Sequence, residues 1–453
     1  MEMNDTASCS PHRWLHVIEH FQMRLFSADF CARHRRRAKD FTRQRVLTFP
    51  IVMLFLLQKT SKSVQRHLHA FFDGMGLRGA SPATPGGWTQ ARAKLSHTAL
   101  IELNQEVVLA GFYAPEQKNH RRLWRGHRLL GCDGSLLRLP NHAEVFQEFG
   151  RQAVRNHRGA TGIEYSPARL SVVYDLLNHL ALDARLAPVA ESEVELALAQ
   201  LERVERNDVL IWDRGFTGFV LMAQTVGRGA HFIGRCSAGS FLAAQQLFKA
   251  NRGGQSRTVR LLANQYQWAE LEKRHLPREL TVRFVSVRLP DGQLEVLVTS
   301  LLKEALYPTP KFLEVYHWRW RQETYHQMLK GRLDLENWSG LTVEAVRQDV
   351  QAAVLVSNLE SLLSQPAQEA LEAGNAGRQY PAQVNRANSY HALKEKMLEL
   401  LWSARPSQEV LQEMQIWMQS NPVTVRPDRK VPRREFSAYR SYHHQRHVRK
   451  TVF

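Results

Sequence analysis

The amino-acid sequence predicts an α/β protein in which a mixed sheet with flanking helices lies between a helical N-terminal region and a helical C-terminal region. Two observations predict this class. From residue 128 onward, short apolar runs bounded by turns replace the helical pattern of the first part of the chain. These runs then alternate with helical segments in the order strand, strand, strand, helix, strand, helix, strand, which is typical of an α/β layer with mixed pairing.

Length and charge narrow the possible functions. At 453 residues the chain predicts about two to four domains. Lys and Arg total 61 against 43 Asp and Glu, a formal net charge of +18. This excess favours a polyanionic partner, first nucleic acid and second an anionic membrane surface, and a ribosome-associated or merely solubilising role is the alternative. The four cysteines contain no C-x-x-C pair, and the longest apolar run, 46–57, is too short to cross a bilayer. We therefore expect a cytoplasmic protein.

The first domain, residues 1–122, is predicted to be helical and to bind DNA. Its run 33–45 contains seven Arg or Lys residues, and a Gly/Pro-rich break follows at 74–87. Residues 88–95 then predict a helix that Thr89 caps. Three of its side chains are of the types that reach base edges and phosphates: Gln90, Arg92 and Lys94. A solvated helix face is the alternative interpretation.

The predicted sheet lies in residues 123–237 and has five strands. The strands are expected at 129–132, 169–174, 179–186, 208–212 and 231–235. Two helices are expected between them, at 193–203 and 217–226. Residues 238–305 predict a β-rich insertion domain, because alternating runs at 280–289 and 293–301 flank a Leu-Pro-Asp-Gly turn.

Residues 306–365 return to the α/β core with a long helix, for which Thr309 and Pro310 form the start and which runs through Lys330. The last domain, 366–453, is predicted to be helical with a basic tail. From 426 onward the tail holds nine Lys or Arg residues against two acids, and it is expected to contact nucleic acid.

Three carboxylates are candidates for catalysis. Asp133 and Asp213 each follow an apolar strand, and carboxyl ends of strands are where ligands commonly bind. Either one alone is more typical of an ordinary turn. On the long helix, four side chains fall on one stripe at offsets of three, four and seven: Tyr316, Arg319, Glu323 and Lys330. An exposed ion pair between Arg319 and Glu323 is the alternative for that stripe.

Together the three carboxylates predict phosphodiester chemistry. Mg²⁺ prefers oxygen ligands and keeps open positions for phosphate oxygens. Two such ions activate a water or a 3′-hydroxyl on one side and stabilise the leaving oxygen on the other.

The same residues carry a family resemblance. The spacing of the four helix residues resembles the Y-R-E-K signature of a group of bacterial insertion-sequence transposases. Asp133-Gly-Ser and Asp213-Arg-Gly-Phe resemble the two acidic motifs of that group, and the similarity covers 129–360. The resemblance implies an RNase H-like core and a cut-and-paste DDE transposase acting at terminal inverted repeats. Water first frees a 3′-hydroxyl, which in related enzymes forms a hairpin before strand transfer into target DNA.

The resemblance also implies roles for individual residues. Asp133, Asp213 and Glu323 would hold two Mg²⁺ ions, with Mn²⁺ as a substitute. Phosphates near the cleaved end would contact Tyr316, Arg319 and Lys330. Trp268 in the insertion is a candidate platform for a flipped base, with a packed core tryptophan as the alternative. Arg214 is a candidate phosphate contact, with an ordinary surface arginine as the alternative.

The family resemblance further implies a homodimer on double-stranded DNA, in the nucleoid of a bacterium, with no membrane involvement. Two other functions stay open from the sequence. One is a nuclease on the same core that cuts DNA without joining it. The other is a non-catalytic, domesticated DNA-binding protein.

Overall fold

The chain folds into two compact units. The computed structural model describes residues 12–43, 46–58, 63–76, 83–155 and 161–426. Most of the predicted basic tail lies outside these residues, as do parts of the basic run 33–45 and of the Gly/Pro-rich break. The first unit comprises Met1–Asn119, Arg138–Glu148 and Leu329–Phe453, and the second comprises His120–Leu137 and Phe149–Met328.

Helices are distributed along the whole described chain. They are α1 (Leu15–Leu25), α2 (Ala28–His34), α3 (Phe49–Leu57), α4 (Val64–Gly74), α5 (Pro85–Arg92), α6 (Thr98–Glu102), α7 (Ala110–Phe112), α8 (Ala143–Phe149), α9 (Glu193–Gln200), α10 (Phe219–Gly227), α11 (Leu242–Ala250), α12 (Trp268–Lys273), α13 (Lys311–His317), α14 (Trp320–Gly331), α15 (Val343–Ala373), α16 (Arg386–Leu401) and α17 (Ser407–Ser420). A π-helical segment, Leu103–Leu109, joins α6 to α7.

Strands are concentrated in the second unit. They are β1 (Leu129–Leu139), β2 (Gln152–Arg155), β3 (Thr161–Asp175), β4 (Leu180–Pro188), β5 (Val209–Trp212), β6 (His231–Arg235), β7 (Ser256–Leu262), β8 (Glu279–Arg288), β9 (Leu294–Thr299), β10 (Ala382–Gln383) and β11 (Val423–Thr424).

The second unit is built on one mixed sheet. Among the described residues its strand order is β2-β3-β1-β5-β6-β9-β8-β7, and β4 pairs with β3. Strands β1, β5 and β6 run parallel to one another, whereas β4 is antiparallel to β3. The five predicted core strands are therefore all present. Every residue of β5 is buried, as expected for a central parallel strand that helices cover on both faces. The predicted class, α/β with a mixed sheet and flanking helices, is confirmed.

The β-rich segment predicted at 238–305 does not form a sheet of its own. Its strand β9 pairs antiparallel with β6, and β8 and β7 follow outward. The register places Ile233 opposite Thr299 and Arg235 opposite Leu297. Unpaired backbone groups along β6 would form an exposed sheet edge, and this pairing covers them. The insertion therefore extends the core sheet.

The first unit is helical, as predicted for the two ends of the chain. Its longest helix, α15, is buried around most of its circumference, which is typical of a central helix. The Asn358 side chain of α15 donates a hydrogen bond to Asn104 at 2.8 Å, and Gln415 of α17 donates one to the Leu363 carbonyl at 2.5 Å. The boundary between the units falls between Met328 and Leu329, inside α14. No helix in the described ranges is both long and apolar enough to span a membrane.

Candidate active site

The two aspartates lie side by side on adjacent parallel strands. Leu129 of β1 is in register with Val209 of β5, and Gly131 with Ile211. Extending this register by two residues places Asp133 opposite Asp213. Adjacent strands are about 4.8 Å apart, so the two carboxylates start from neighbouring backbone positions. The prediction that Asp133 follows the end of its strand was wrong, because β1 continues to Leu139.

Backbone geometry gives Asp213 a different exit from its strand. Asp213 directly follows β5 and precedes a 3-10 turn, Arg214–Phe216, whose Phe216 amide donates to the Asp213 carbonyl at 3.1 Å. The turn leaves Arg214 exposed next to the second acid. A role for Arg214 in phosphate binding stays a prediction.

The predicted single helix 310–330 is divided into α13 and α14. At the junction the amides of Trp318 and Arg319 donate to the carbonyls of Val315 and Tyr316, which is the tighter 3-10 pattern. This turn separates the two helices. Tyr316 therefore lies on α13 and Glu323 on α14, with Arg319 between them.

Arg319 is the electrostatic centre of the site. Its Nη2 donates to Glu323 Oε1 at 3.0 Å, and its guanidinium carbon lies 5.7 Å from the centre of the Tyr316 ring. Burial opposes the charged guanidinium, but Tyr316, Asp213, Glu323 and Asp133 outweigh burial and raise the pKa of Arg319. All three candidate acids therefore act on one arginine.

The charge on Asp133 is poorly compensated. Burial raises the pKa of its carboxyl to about 6, and Glu193 and Asp213 contribute in the same direction. The Gly134 amide, which donates to Asp133 Oδ1 at 2.8 Å, and the Arg319 guanidinium act in the opposite direction. A carboxylate in this environment is stabilised by additional positive charge.

A second arginine, which the sequence interpretation missed, lies next to Asp213. Arg235 at the end of β6 places Nη1 3.9 Å from Asp213 Oδ1. Two hydrogen bonds hold the same guanidinium on Glu295 of β9, one of them from Nε to Oε2 at 2.5 Å. Glu295 is buried. An acid in the otherwise apolar run Leu294–Thr299 and an arginine at a strand end were the available signals, but their pairing depends on β6 meeting β9.

Glu193 is a fourth carboxylate near the site that the sequence interpretation did not identify. It lies in the first turn of α9, where Arg169 of β3 approaches it at 3.1 Å between Nε and Oε1. Its charge contributes to the raised pKa of Asp133. The only sequence signal was its position directly after Ser192, which caps α9.

The acids suit a divalent cation in their chemistry, but they are not pre-assembled around one position. In the described part of the chain, no three His, Cys, Asp or Glu side chains are grouped closely enough to hold a metal ion together. Asp213 Oδ1 is nevertheless buried and accepts no hydrogen bond from any described residue. This oxygen, with the under-compensated Asp133, is a carboxylate donor set of the kind that Mg²⁺ binds.

Tyr316 and Lys330, the two other residues of the helix stripe that are predicted to contact phosphates, are both at least partly buried. The Tyr316 hydroxyl is buried without a hydrogen-bond partner among the described residues, and burial raises the pKa of Tyr316. Lys330 belongs to the first unit and is half-buried. Burial lowers the pKa of Lys330 against the opposing attraction of Glu336. DNA contacts by both residues stay predictions.

The predicted basic face of α5 is only partly present. Thr84, not Thr89, caps the helix, and the helix ends at Arg92, before Lys94. Gln90 and Lys94 are exposed, but Arg92 is only 3% exposed. The Arg92 guanidinium pairs with Asp349 of α15 at 2.8 Å, so α5 does not present Arg92 beside Gln90 and Lys94 as the predicted DNA contact requires. A partner 257 positions away buries it, and local sequence carries no sign of that partner.

Trp268 is not the packed core residue that the alternative interpretation favoured. It is 43% exposed at the start of α12, and the Arg278 guanidinium lies 4.5 Å from the centre of its ring. Its role as a platform for a base stays a prediction.

The fold and the site define the class of the protein. It is a mixed α/β protein in which one candidate acid lies within β1, a second directly follows the parallel strand β5, and a third lies on α14. Residues 124–359, just over half of the chain, match the family described as the transposase DDE domain. The chain belongs to this family of DDE transposase domains, as the resemblance implied. Such transposases generally use divalent metal ions.

Individual proteins are similar over different lengths. A segment of 93 residues, 20% of this chain, is 29% identical to the Escherichia coli (strain K12) protein named "Putative transposase InsZ". The match spans 30% of that relative's length. Among solved structures, the "Cryo-EM structure of piggyBac transposase synaptic complex with hairpin DNA" is similar at 10% identity with a TM-score of 0.39. That similarity covers 92% of this chain and 88% of the other.

Proposed function

We propose that the protein is a transposase that excises and inserts a mobile DNA element by metal-dependent cleavage and joining of strands at terminal inverted repeats. The observations that carry this proposal are the hydrogen bond from Arg319 to Glu323 and the combined influence of Asp213, Glu323 and Asp133, which raise the pKa of this one buried arginine. Membership of the DDE transposase family supports the same function and an RNase H-like core.

In the proposed reaction the three acids hold divalent ions, Mg²⁺ first and Mn²⁺ as a substitute. When bound, two such ions activate the attacking water or 3′-hydroxyl and stabilise the leaving oxygen. The chain itself supplies the positioning. Arg319 and Arg235 lie beside the acids and offer guanidinium groups to the phosphates of the strand that is cut. Glu295 fixes the orientation of Arg235.

Arg319 has two partners available in this scheme. Arg319 hydrogen-bonds Glu323. If Glu323 held a divalent ion, its carboxylate would interact less strongly with Arg319, and the Arg319 guanidinium would then offer its donors to phosphate. The scheme requires no rearrangement of the sheet, because β1, which carries Asp133, already pairs in parallel with β5, which Asp213 follows.

The test is cleavage and joining of a labelled duplex that carries the DNA end flanking this gene. Wild type is compared with Glu323→Gln in Mg²⁺, and Glu314→Gln is the matched control, because Glu314 is an exposed acid on neighbouring α13. We expect wild type and the control to cut and join, and Glu323→Gln to bind without doing either. Equal binding and no cutting by all three proteins, with every divalent metal tried, would leave a non-catalytic DNA-binding protein.

The same assay separates the second enzymatic alternative. A nuclease on this core yields cut ends but no joined product when a target duplex is added. Hairpin formation is read from the same gel, as a cut product that migrates as a covalently closed end under denaturing conditions.

The homodimer on double-stranded DNA is part of the proposal, as is association with the bacterial nucleoid. Support comes from the net charge of +18 and from the family resemblance. Sedimentation of the protein with and without a duplex end tests it, and two chains per complex is the expected result.

A further inference from the structure

The basic run near the N-terminus is held in a fixed place. Helix α2 ends at His34, whose two ring nitrogens contact Thr98 Oγ1 at 2.9 Å and Glu102 Oε2 at 2.7 Å. These contacts fix the first end of the segment that follows, residues 35–43, which we call the cationic loop. Phe41 fixes its other end, because its ring packs edge-on against buried Phe49 at 5.5 Å.

Backbone pairing joins the cationic loop to the end of α5. The Arg36 amide donates to the Lys94 carbonyl at 2.8 Å, and the Ser96 amide donates to the His34 carbonyl at 2.9 Å. Arg35 and Leu95 form an antiparallel bridge between these bonds. Arg35 and Leu95 are 60 positions apart in the sequence, and their two segments therefore lie side by side in the first unit.

The cationic side chains of the two segments are exposed. They are Arg36, Arg37, Lys39, Arg43 and Lys94, with Arg35 half-buried. The one acid of the cationic loop, Asp40, is buried, and residues 88–98 contain none. The nearby acid is Glu344, whose pKa is lowered despite its burial, chiefly by hydrogen bonding to His97, with a contribution from Arg36. Positive charge thus dominates this surface.

Arg33, the first arginine of the basic run 33–45, is paired with acids, unlike the exposed arginines that follow it. Its guanidinium hydrogen-bonds both Asp29 and Glu102. The fold thus provides acids for the first arginine of the run and presents the following ones to solvent. Holding like charges close together on an ordered loop is unfavourable unless an anionic partner compensates them.

We infer that the cationic loop and Lys94 form one preformed surface that binds the phosphate backbone of duplex DNA. The inference rests on the proposed function and deepens it by naming where the first unit contacts the DNA. Exposed Gln90, two residues before the end of α5, is of a type that reaches base edges. Phosphate contacts position a protein without reading sequence.

The experiment measures DNA affinity against salt concentration, in a Glu323→Gln background so that no strand is cut. The test protein carries Arg36→Gln, Arg37→Gln and Lys39→Gln. Its charge-matched control carries Lys118→Gln, Lys303→Gln and Arg378→Gln, which replace exposed cations elsewhere. Each neutralised phosphate contributes about 0.9 to the slope of log K against log salt. We therefore expect the slope to fall by about 2 to 3 in the test protein and by less than about 0.5 in the control.

Affinity is measured for two duplexes of equal length, the element end and a scrambled sequence. The three substitutions in the test protein should lower its affinity for both duplexes by similar factors. An unchanged slope in the test protein, or an equal fall in the control, overturns the inference. Lys94→Gln alone provides a second variant whose folding is not at risk, and its slope should fall by about 0.9. If the test protein loses binding to vesicles of anionic lipid while its DNA binding is unchanged, the surface binds a membrane, and this result also overturns the inference.

Failure of this inference is distinguishable from failure of the proposed function. Cleavage by the protein with an intact Glu323 tests the function, whereas the salt slope tests the surface. A wild type that cuts DNA while the test protein keeps its slope refutes only the surface.

Discussion

Replacing Arg92 with alanine is expected to destabilise the first unit by about 3 kcal/mol. The side chains of Arg92 and Asp349 are 4% and 1% exposed. Removing one partner of a buried ion pair costs about 3–5 kcal/mol, because the other charge stays buried without compensation. The lower end of that range applies here, since Asp349 keeps two hydrogen bonds from Ser339, both at 2.7 Å.

Chemical denaturation followed by tryptophan fluorescence measures this effect. Lys94→Ala is the control, because its exposed side chain should change the free energy of unfolding by no more than about 0.5 kcal/mol. The double variant Arg92→Met, Asp349→Leu removes both charges and should recover most of the loss. A stable Arg92→Ala protein that binds DNA more weakly would refute the reasoning and restore Arg92 as a DNA contact.

Three further predictions follow from the site. Asp133→Asn should stabilise the metal-free protein by about 1–2 kcal/mol at pH 8. The pKa of the Asp133 carboxyl rises from 3.8 in the unfolded chain to about 6 in the folded protein. Ionised Asp133 therefore destabilises the fold above pH 6 and has no such effect below pH 3.8. Melting curves in EDTA at pH 8 and pH 3.5 test this, and an equal effect at both pH values contradicts it. Glu295→Gln should destabilise the second unit by about 2–4 kcal/mol, because it removes the buried partner of Arg235 and leaves only Asp213, 3.9 Å away, to compensate the guanidinium charge. Glu279→Gln at an exposed position should have almost no effect in the same denaturation assay. Trp268→Ala should leave the melting temperature nearly unchanged but reduce the fluorescence of a 2-aminopurine placed at the cleaved end. Trp268→Phe should retain part of that fluorescence. An unchanged fluorescence in Trp268→Ala argues against Trp268 as a platform for a base.

The core of the fold was predictable because its signals are local. Apolar runs such as Val209–Trp212 indicate buried strands, and the aspartates that follow or interrupt them are visible in the sequence. Glu323 was predictable from helical spacing and from the family resemblance. Its assignment as a metal ligand stays a prediction, as do those of Asp133 and Asp213.

The remaining features depend on contacts between distant parts of the chain. Arg92 has the composition of a solvated helix residue, and only its pairing with Asp349 buries it. Arg235 and Glu295 meet only because β6 and β9 pair. The division of the helix near Arg319 reflects a small preference between two turn geometries, which helical periodicity does not resolve.

The pairing of β9 with β6 has a consequence for how this chain can be altered. If an insertion were connected to the core only through two loops, it could be deleted or exchanged without destabilising the core. Here removal of 238–305 would delete β9, the hydrogen-bonded neighbour of β6. The unpaired backbone groups of β6 would then form an exposed sheet edge that can pair with other chains. It would also remove the buried acid that orients Arg235. Shortened versions of this protein should therefore aggregate, and grafts between relatives need to carry the inserted strands together with the sheet they complete.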